Sequence, residues 1–317
     1  MRILKFGGKS LATPEKVQNA CKIIQKIYKK DKKIVVVVSA NGSETDELIK
    51  QAKSFCGENL EPRELDVLLS TGETKSSALF SMALCNLKIP SKSFQAYQLQ
   101  ITTFGAFQNS KIAHIDTKPL LECFEKNIVA IVSGFQGVNK NGEITTLGRG
   151  GSDTTAAAIS ATLGQDVEIF SDFDGVFCGD PRELDFKKIK TLDYNSMILM
   201  AESGAKVLDA RAAKIAKSHN FNIHCKSSSQ PNKKGTLISN IESDFVSIST
   251  KKDLCEFCLT FSNKQQSQII MKNVLKLINN IEFYNLTLKN NQINFLTKQE
   301  NHDMLLMLIS KKLNIAK

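Results

Sequence analysis

The sequence of 317 residues has no long apolar run. Nothing in it approaches the roughly 20 consecutive apolar residues that a membrane-spanning helix needs. Histidine is scarce: His114, His219, His224 and His302 form neither an HExxH motif nor a triad arrangement, which leaves no basis for hydrolytic or metalloprotease chemistry. Metal-ligand pairs are lacking as well. Cys255 and Cys258 make one CxxC, but a zinc site needs a second pair. In the strand-like "LCEFCLTF" the two thiols would point to opposite faces. The remaining cysteines, such as Cys21, Cys85 and Cys123, read as packing thiols of a reducing compartment. The N-terminal "RILKF" reads as a strand and not as a signal peptide, so a cytoplasmic location and no membrane partner are expected.

What is present is an ordinary soluble composition, 42% hydrophobic and 23% charged, in a chain long enough for two domains. The net charge of +10 raises nucleic acid as a partner. The lysines are spread along the whole chain, however, and the densest run, "KIYKKDKK", ends a predicted helix where lysines suit the dipole. A nucleic-acid partner is not expected.

Strands and helices alternate over the first part of the chain. "ILKF" is a short strand. Thr13 caps a helix that opens on Pro14 and carries Val17, Cys21, Ile24 and Tyr28 on one face. "KIVVVVSA" is the β-branched run of a strand covered on both faces. Helices follow at "TDELIKQAKSF" and from about Thr74 to Leu87, then the strand "NIVAIVSGF", the helix "DTTAAAISATL" closed by Gly164, and the strand "DVEIFSD". The expected fold class is α/β, a sandwich with a largely parallel central sheet. The polar, breaker-rich "SSSQPNKKGTLIS" marks a boundary. It separates a domain at 1–238 from a small ferredoxin-like βαββα module at 239–317.

Four stretches suit chemistry. In "KFGGKS", the "GKS" is not a P-loop, because the position five before its glycine is Ile3 and not glycine. What remains is Lys5 at a strand end, then Gly7 and Gly8, which let backbone approach an anion. In "TTLGRGGSDTTAAA", Gly148, Gly150 and Gly151 surround Arg149 and lead into Ser152 and Asp153 at a helix start, a ready anion site with a bidentate arginine. In "LLSTGET", Ser70 and Glu73 match a capping box, and a glutamate near a phosphate site also suits a substrate ammonium; the residues alone leave both open. In "EIFSDFDGVFCGDPREL", Asp174-Gly175 reads as a hairpin turn flanked by Asp172 and Arg182, either nucleotide contacts or a structural ion pair.

Taken together and in this order, these motifs resemble the aspartokinases of the amino-acid kinase superfamily. "VVVVSANGSETDEL", "FQGVNKNGEITTLGRGGSD", "SDFDGVFCGDPR" and "SGAKVLDAR" carry the likeness alongside "KFGGKS" and "LLSTGET". The resemblance implies a three-layer αβα sandwich and phosphoryl transfer from ATP, with Mg2+, to the β-carboxylate of L-aspartate. It implies Lys5 and Asp153 as the catalytic pair. Ser39, Thr45, Glu73, Arg149 and Ser152 would bind aspartate. Lys5, Gly7, Gly8, Ser10, Ser171, Asp172, Phe177, Arg182, Lys206 and Val207 would bind ATP, with no protein metal site. It further implies a single, truncated ACT-like regulatory domain at the C-terminus and a homodimer or homo-oligomer through it. Lys9 stands where the family usually has threonine, Phe177 where tyrosine is common, and Asp209-Ala210 where His-Pro is usual. The rivals are a kinase for another small carboxylate and a non-catalytic regulatory subunit. A pseudo-enzyme would have lost Lys5, Asp153, Glu73 or Arg149, and all four are present.

Overall fold

The computed structural model describes residues 1–205, 207–251, 255–262, 264–278, 281–289 and 291–317. The chain forms two compact units: Met1–Asp174 with Arg211–Gly235, and Gly175–Ala210 with Thr236–Lys317. This division differs from a single cut at 238/239, because residues 175–210 pack with the C-terminal part.

In chain order the first unit opens with β1 (Arg2–Phe6), α1 (Pro14–Tyr28), β2 (Ile34–Val38), α2 (Glu44–Cys56) and α3 (Pro62–Asn86). It continues with β3 (Ser91–Phe94), β4 (Thr102–Phe104), β5 (Lys111–His114), α4 (Lys118–Glu125) and β6 (Val129–Ser133). Then come β7 (Gln136–Asn139), β8 (Ile144–Thr146), α5 (Gly151–Leu163) and β9 (Val167–Ser171). The next stretch holds β10 (Val176–Phe177), β11 (Lys188–Ile189), β12 (Thr191–Asp193) and α6 (Tyr194–Glu202). After α7 (Ala210–His219) and β13 (Ile223–Ser227) come β14 (Thr236–Ser239), β15 (Val246–Lys251), β16 (Glu256–Phe261), α8 (Lys264–Ile278), β17 (Phe283–Lys289), β18 (Gln292–Thr297) and α9 (His302–Lys312).

The sheet of the first unit runs in the order β13-β9-β1-β2-β6-β3, and every one of these pairings is parallel. All six carboxyl ends therefore share one edge, where open α/β sheets bind ligands. Alternation along β1 sets up the layers. Leu4 and Phe6 join a buried cluster with Cys21 and Ile24 of α1 and Phe80 and Leu84 of α3. Lys5 points the other way, to α5, which packs on β1, β2 and β9. Helices thus cover both faces, as the α/β sandwich requires. Phe6 stacks on Phe170 of β9 with ring centroids 4.8 Å apart. Thr13 caps α1, its hydroxyl accepting from Lys16 N at 3.4 Å, and Gly164 closes α5 in the left-handed region.

Three local expectations are corrected. Ser70 and Glu73 are not a capping box: α3 begins at Pro62 after an extended Glu61, so both lie inside the helix. There Ser70 Oγ donates to Val67 O at 2.7 Å, the local bond a helix-interior serine uses. Asp174-Gly175 is a turn, with Gly175 at φ +104, but not a hairpin. β9 pairs with β1 and β13, and β10 pairs with β11. Cys85 is exposed and not a packing thiol, with its Sγ 3.3 Å from Ser91 Oγ. None of the eight cysteines, all among the described residues, is joined in a disulfide. No group of three metal-ligating side chains occurs among the described residues, and no helix among them is long and apolar enough to cross a membrane.

In the second unit, β15-β16-β18-β17 form an antiparallel sheet. The βαββα order is present from β16 to α9, with β15 added as an edge strand. Phe257 and Phe295 stack at 5.1 Å in a core that also takes Leu305 and Ile309 of α9 and Phe186. β12 and β14 pair in parallel in the same unit.

Phe6 is fully buried and holds both β9 and α3. Phe6→Ala is expected to lower unfolding stability by about 3–5 kcal/mol. Denaturant melts followed by circular dichroism check this; an unchanged midpoint would contradict the packing described.

Candidate functional site

Lys5 occupies the inward position next to the last of β1, and its ammonium lies 2.5 Å from Asp153 Oδ1 in the first turn of α5. Both residues are buried, at 9% and 7% exposure. Taking two charges out of water costs free energy that their attraction barely repays, so stability alone does not explain the pair. Asp153 also sits where the helix dipole favours an anion. The chain enters α5 through Gly150 at φ +75, a conformation that side chains with a Cβ rarely adopt.

The loop after β1 is a single turn of 3-10 helix, Gly8–Leu11. Gly8 is required by close approach: a Cβ there would meet Ala40 O at 2.6 Å. Two backbone donors of this loop are used inside the protein. Gly7 N donates to Phe170 O at 3.1 Å and Ser10 N to Gly7 O at 2.9 Å. The buried Ser10 hydroxyl has no hydrogen-bond partner. Lys9 turns outward: its ammonium is 3.8 Å from Asp172 Oδ2 with both groups well exposed, and its carbonyl accepts from Lys16 Nζ at 2.9 Å. An exposed pair at that distance contributes little to stability.

Glu73 reaches from the middle of α3 to the chain after β2. Its Oε1 accepts from Ala40 N at 2.9 Å, and its Oε2 is buried without a partner. Burial pushes the Glu73 carboxyl up from the ordinary 4.5 to about 7. The Ala40 N–H and the Lys5 charge oppose that rise, and the neighbouring Glu44 charge adds to it. Ser39 follows β2 directly, its N donating to Phe6 O at 3.2 Å. Thr45 is in the first turn of α2. Ser152 is buried beside Gly134, where a Cβ would meet its own Cβ at 2.7 Å.

Arg149 is exposed on the glycine loop between β8 and α5. Two residues that sequence reading missed hold this loop. Arg211, at the start of α7, donates from Nη1 to Leu147 O and from Nη2 to Arg149 O, the latter at 2.5 Å. Asp66 of α3 is fully buried and accepts from Thr146 N and Thr146 Oγ1, each at 2.7 Å, and from Gln108 N at 3.0 Å. Burial raises its pKa, with the Thr146 and Gln108 bonds opposing the rise. An acid inside the apolar run "ELDVLL" is a readable signal for Asp66. Arg211 lies inside a quoted motif, but only the fold shows that it reaches back to the loop. Ser228, also missed by sequence reading, holds a different segment, the end of β9: its N and Oγ both donate to Ser171 O, at 2.8 and 3.0 Å.

Lys5, Gly7, Gly8, Ser10, Ser39, Thr45, Glu73, Arg149, Ser152, Asp153, Ser171 and Asp172 all belong to the first unit. Lys5, Gly7, Gly8, Ser10, Ser39, Ser171 and Asp172 lie at or just after the carboxyl ends of β1, β2 and β9, and Thr45 lies in the first turn of α2. Ser152 and Asp153 lie in the first turn of α5, where Asp153 meets Lys5, Arg149 lies on the loop before α5, and Glu73 reaches the chain after β2 from α3. Phe177, Arg182 and Val207 belong to the second unit. There Phe177 packs on the Phe257 core and Arg182 donates from Nε to Asp180 Oδ1 at 2.9 Å. Lys206 lies outside the described residues.

The raised Glu73 pKa has a definite consequence for folding. The folded protein binds this proton more tightly than the unfolded chain, so the associated stability is present below pH 4.5 and is lost as pH rises through about 7. Glu73→Gln, which keeps the acceptor for Ala40 N, is expected to exceed the wild type by about 1–3 kcal/mol at pH 8. The gap should close towards pH 5. Thermal melts across that range check it, and parallel pH profiles for the two proteins would overturn it.

The profile of the amino acid kinase family matches residues 1–227. The aspartokinase of Geobacillus stearothermophilus is 41% identical over 238 residues, covering 74% of this chain and 58% of that protein. Aspartokinase 2 of Bacillus subtilis is 42% identical over 238 residues with the same coverage. The chain spans about 58% of the length of these curated relatives. Among solved structures, E. coli aspartokinase III in complex with aspartate and ADP superposes with a TM-score of 0.86 at 18% identity, covering 99% of this chain and 100% of that one. The aspartate kinase of Synechocystis superposes at 0.66 with 28% identity, covering 99% of this chain and 56% of that one. By sequence over most of its length, and by fold, the chain belongs to the amino acid kinase family.

Proposed function

We propose that the chain is an aspartate kinase, transferring the γ-phosphate of ATP to the β-carboxylate of L-aspartate to give 4-phospho-L-aspartate. The observation that carries the proposal is the buried Lys5–Asp153 pair at 2.5 Å, on the same sheet edge as a glutamate with a buried, unpartnered oxygen. The aspartokinase names of its relatives point the same way.

Phosphoryl transfer asks little covalent chemistry of a protein; it asks for positioning and for charge aimed at the transferring group. Lys5 balances charge on the phosphate in flight, and Asp153 holds the lysine in place. Gly7, Gly8 and Ser10 line the phosphates, the unpartnered Ser10 hydroxyl being suited to donate there. Ser171 and Asp172 extend the nucleotide site. Glu73 receives the aspartate ammonium and Arg149 a carboxylate, with Ser39, Thr45 and Ser152 beside them. Mg2+ suits this arrangement without a protein cage, since it is usually bound through one or two carboxylates and the nucleotide's own phosphates. Residues 1–238 form the catalytic part, and 239–317 an ACT-like module through which two copies associate.

Incubation with MgATP, L-aspartate and hydroxylamine is expected to give aspartyl hydroxamate. ADP formed only with glutamate or another carboxylate would sink the substrate assignment. Lys5→Ala and Asp153→Ala are each expected to lower kcat by about 10²–10³-fold. Turnover equal to wild type in either variant would remove the pair from the mechanism.

A further inference from the structure

Glu44 opens α2, on the segment that follows β2. One of its oxygens is engaged: Lys75 Nζ donates to Oε1 at 2.7 Å. The other, Oε2, is buried and has no hydrogen-bond partner. The side chain is only 16% exposed, although its lysine partner is 60% exposed. An acid placed for the helix dipole alone would keep its free oxygen in water.

The position of the side chain gives that free oxygen meaning. A Cβ on Gly72 would stand 3.9 Å from Glu44 Cγ, so Glu44 lies over the residue that precedes Glu73 in α3. Glu73 carries the second buried carboxylate oxygen without a partner. Two facing elements, α2 and α3, thus each contribute one acceptor that the protein leaves unused. A buried carboxylate oxygen in that condition costs free energy until a donor arrives.

Charge decides what kind of donor. Glu44, Glu73 and Lys75 together carry one net negative charge when both acids are ionised. A monovalent ammonium cancels it, and its three N–H groups can serve both carboxylates at once. A divalent cation would leave an excess of positive charge beside Lys75, and the described residues hold no cluster of three ligating side chains.

We infer that Glu44 is a specificity-determining residue, which with Glu73 forms a two-carboxylate socket for the α-ammonium of the acceptor substrate. This rests on the reading of the same edge as the acceptor site of a carboxylate kinase. It goes further in assigning the choice between amino and non-amino dicarboxylates to a residue that no motif singled out.

The test compares acceptors that differ only in the ammonium: L-aspartate against succinate, and L-glutamate against glutarate. Each is assayed as acyl hydroxamate and by binding calorimetry, with wild type, Glu44→Gln and Lys75→Met. Glu44→Gln keeps an acceptor for Lys75, so the helix contact survives. It is expected to lower the amino over non-amino ratio of kcat/KM about tenfold or more, the effect of losing one charge-assisted bond. Lys75→Met, which leaves Glu44 uncompensated, should hold that ratio or raise it. The same fall in both variants would mean that Glu44 only tethers α2 to α3, and would overturn the inference. An unchanged ratio in Glu44→Gln, or a wild type indifferent to the ammonium, would overturn it too. A wild type that uses L-glutamate and not L-aspartate, with the ratio still falling in Glu44→Gln, would remove the aspartate reading and leave this inference standing. No binding of any of the four acceptors would remove both.

Discussion

A lysine and an aspartate buried together at the carboxyl end of β1 constrain everything around them. Each alone would be an uncompensated charge in a low-dielectric interior, which is far more costly than the pair. The fold must therefore hold α5 against β1 so that Asp153 meets Lys5 at 2.5 Å. β1 in turn is fixed between β2 and β9 in parallel register. The stack of Phe6 on Phe170 and the cluster of Leu4 and Phe6 with α1 and α3 occupy its other face. The apolar side of the strand supplies stability, and the polar side spends part of it on a charged edge.

The glycine loop shows a second use of that stability. Arg149 is exposed, and the loop that carries it has a glycine with positive φ on either side, Gly148 and Gly150. Such a segment would be poorly ordered by itself. Here Arg211 binds two of its carbonyls, and Asp66 binds the strand residue that leads into it. Arg211 binds backbone carbonyls, and Asp66 binds backbone N–H groups and the Thr146 hydroxyl, so they fix the path of the loop while the Arg149 side chain stays exposed.

Much of this was legible in residue order. The β-branched run of β2, the Thr13-Pro14 start of α1 and the Gly164 end of α5 follow from local propensities and caps, and each is found as expected. So are the parallel sheet and the βαββα order at the C-terminus. The failures share a cause. Ser70 and Glu73 fit a capping box locally, yet Pro62 had already begun the helix that contains them. Asp174-Gly175 has hairpin chemistry, but the flanking strands find other partners. Local signals give the type of an element more reliably than its boundary or its neighbour. Lys9 drew attention as part of "GKS"; the loop turns it outward to Asp172.

By itself the sequence determined the alternation of strands and helices, the glycine positions that need positive φ or close approach, and the identity of the charged residues along the sheet edge. These depend on backbone sterics and on side-chain chemistry within a few residues. Only the tertiary structure decided which charges meet. Lys5 finds Asp153 across 148 positions because β1 and α5 pack together. Glu73 receives the Ala40 N–H, and Glu44 lies over Gly72, because α3 crosses the end of β2. Burial, which raises the Glu73 pKa and leaves two carboxylate oxygens without donors, is a property of the packed whole. Solvent exclusion does not exist until distant elements close over a residue, so no local pattern can encode it.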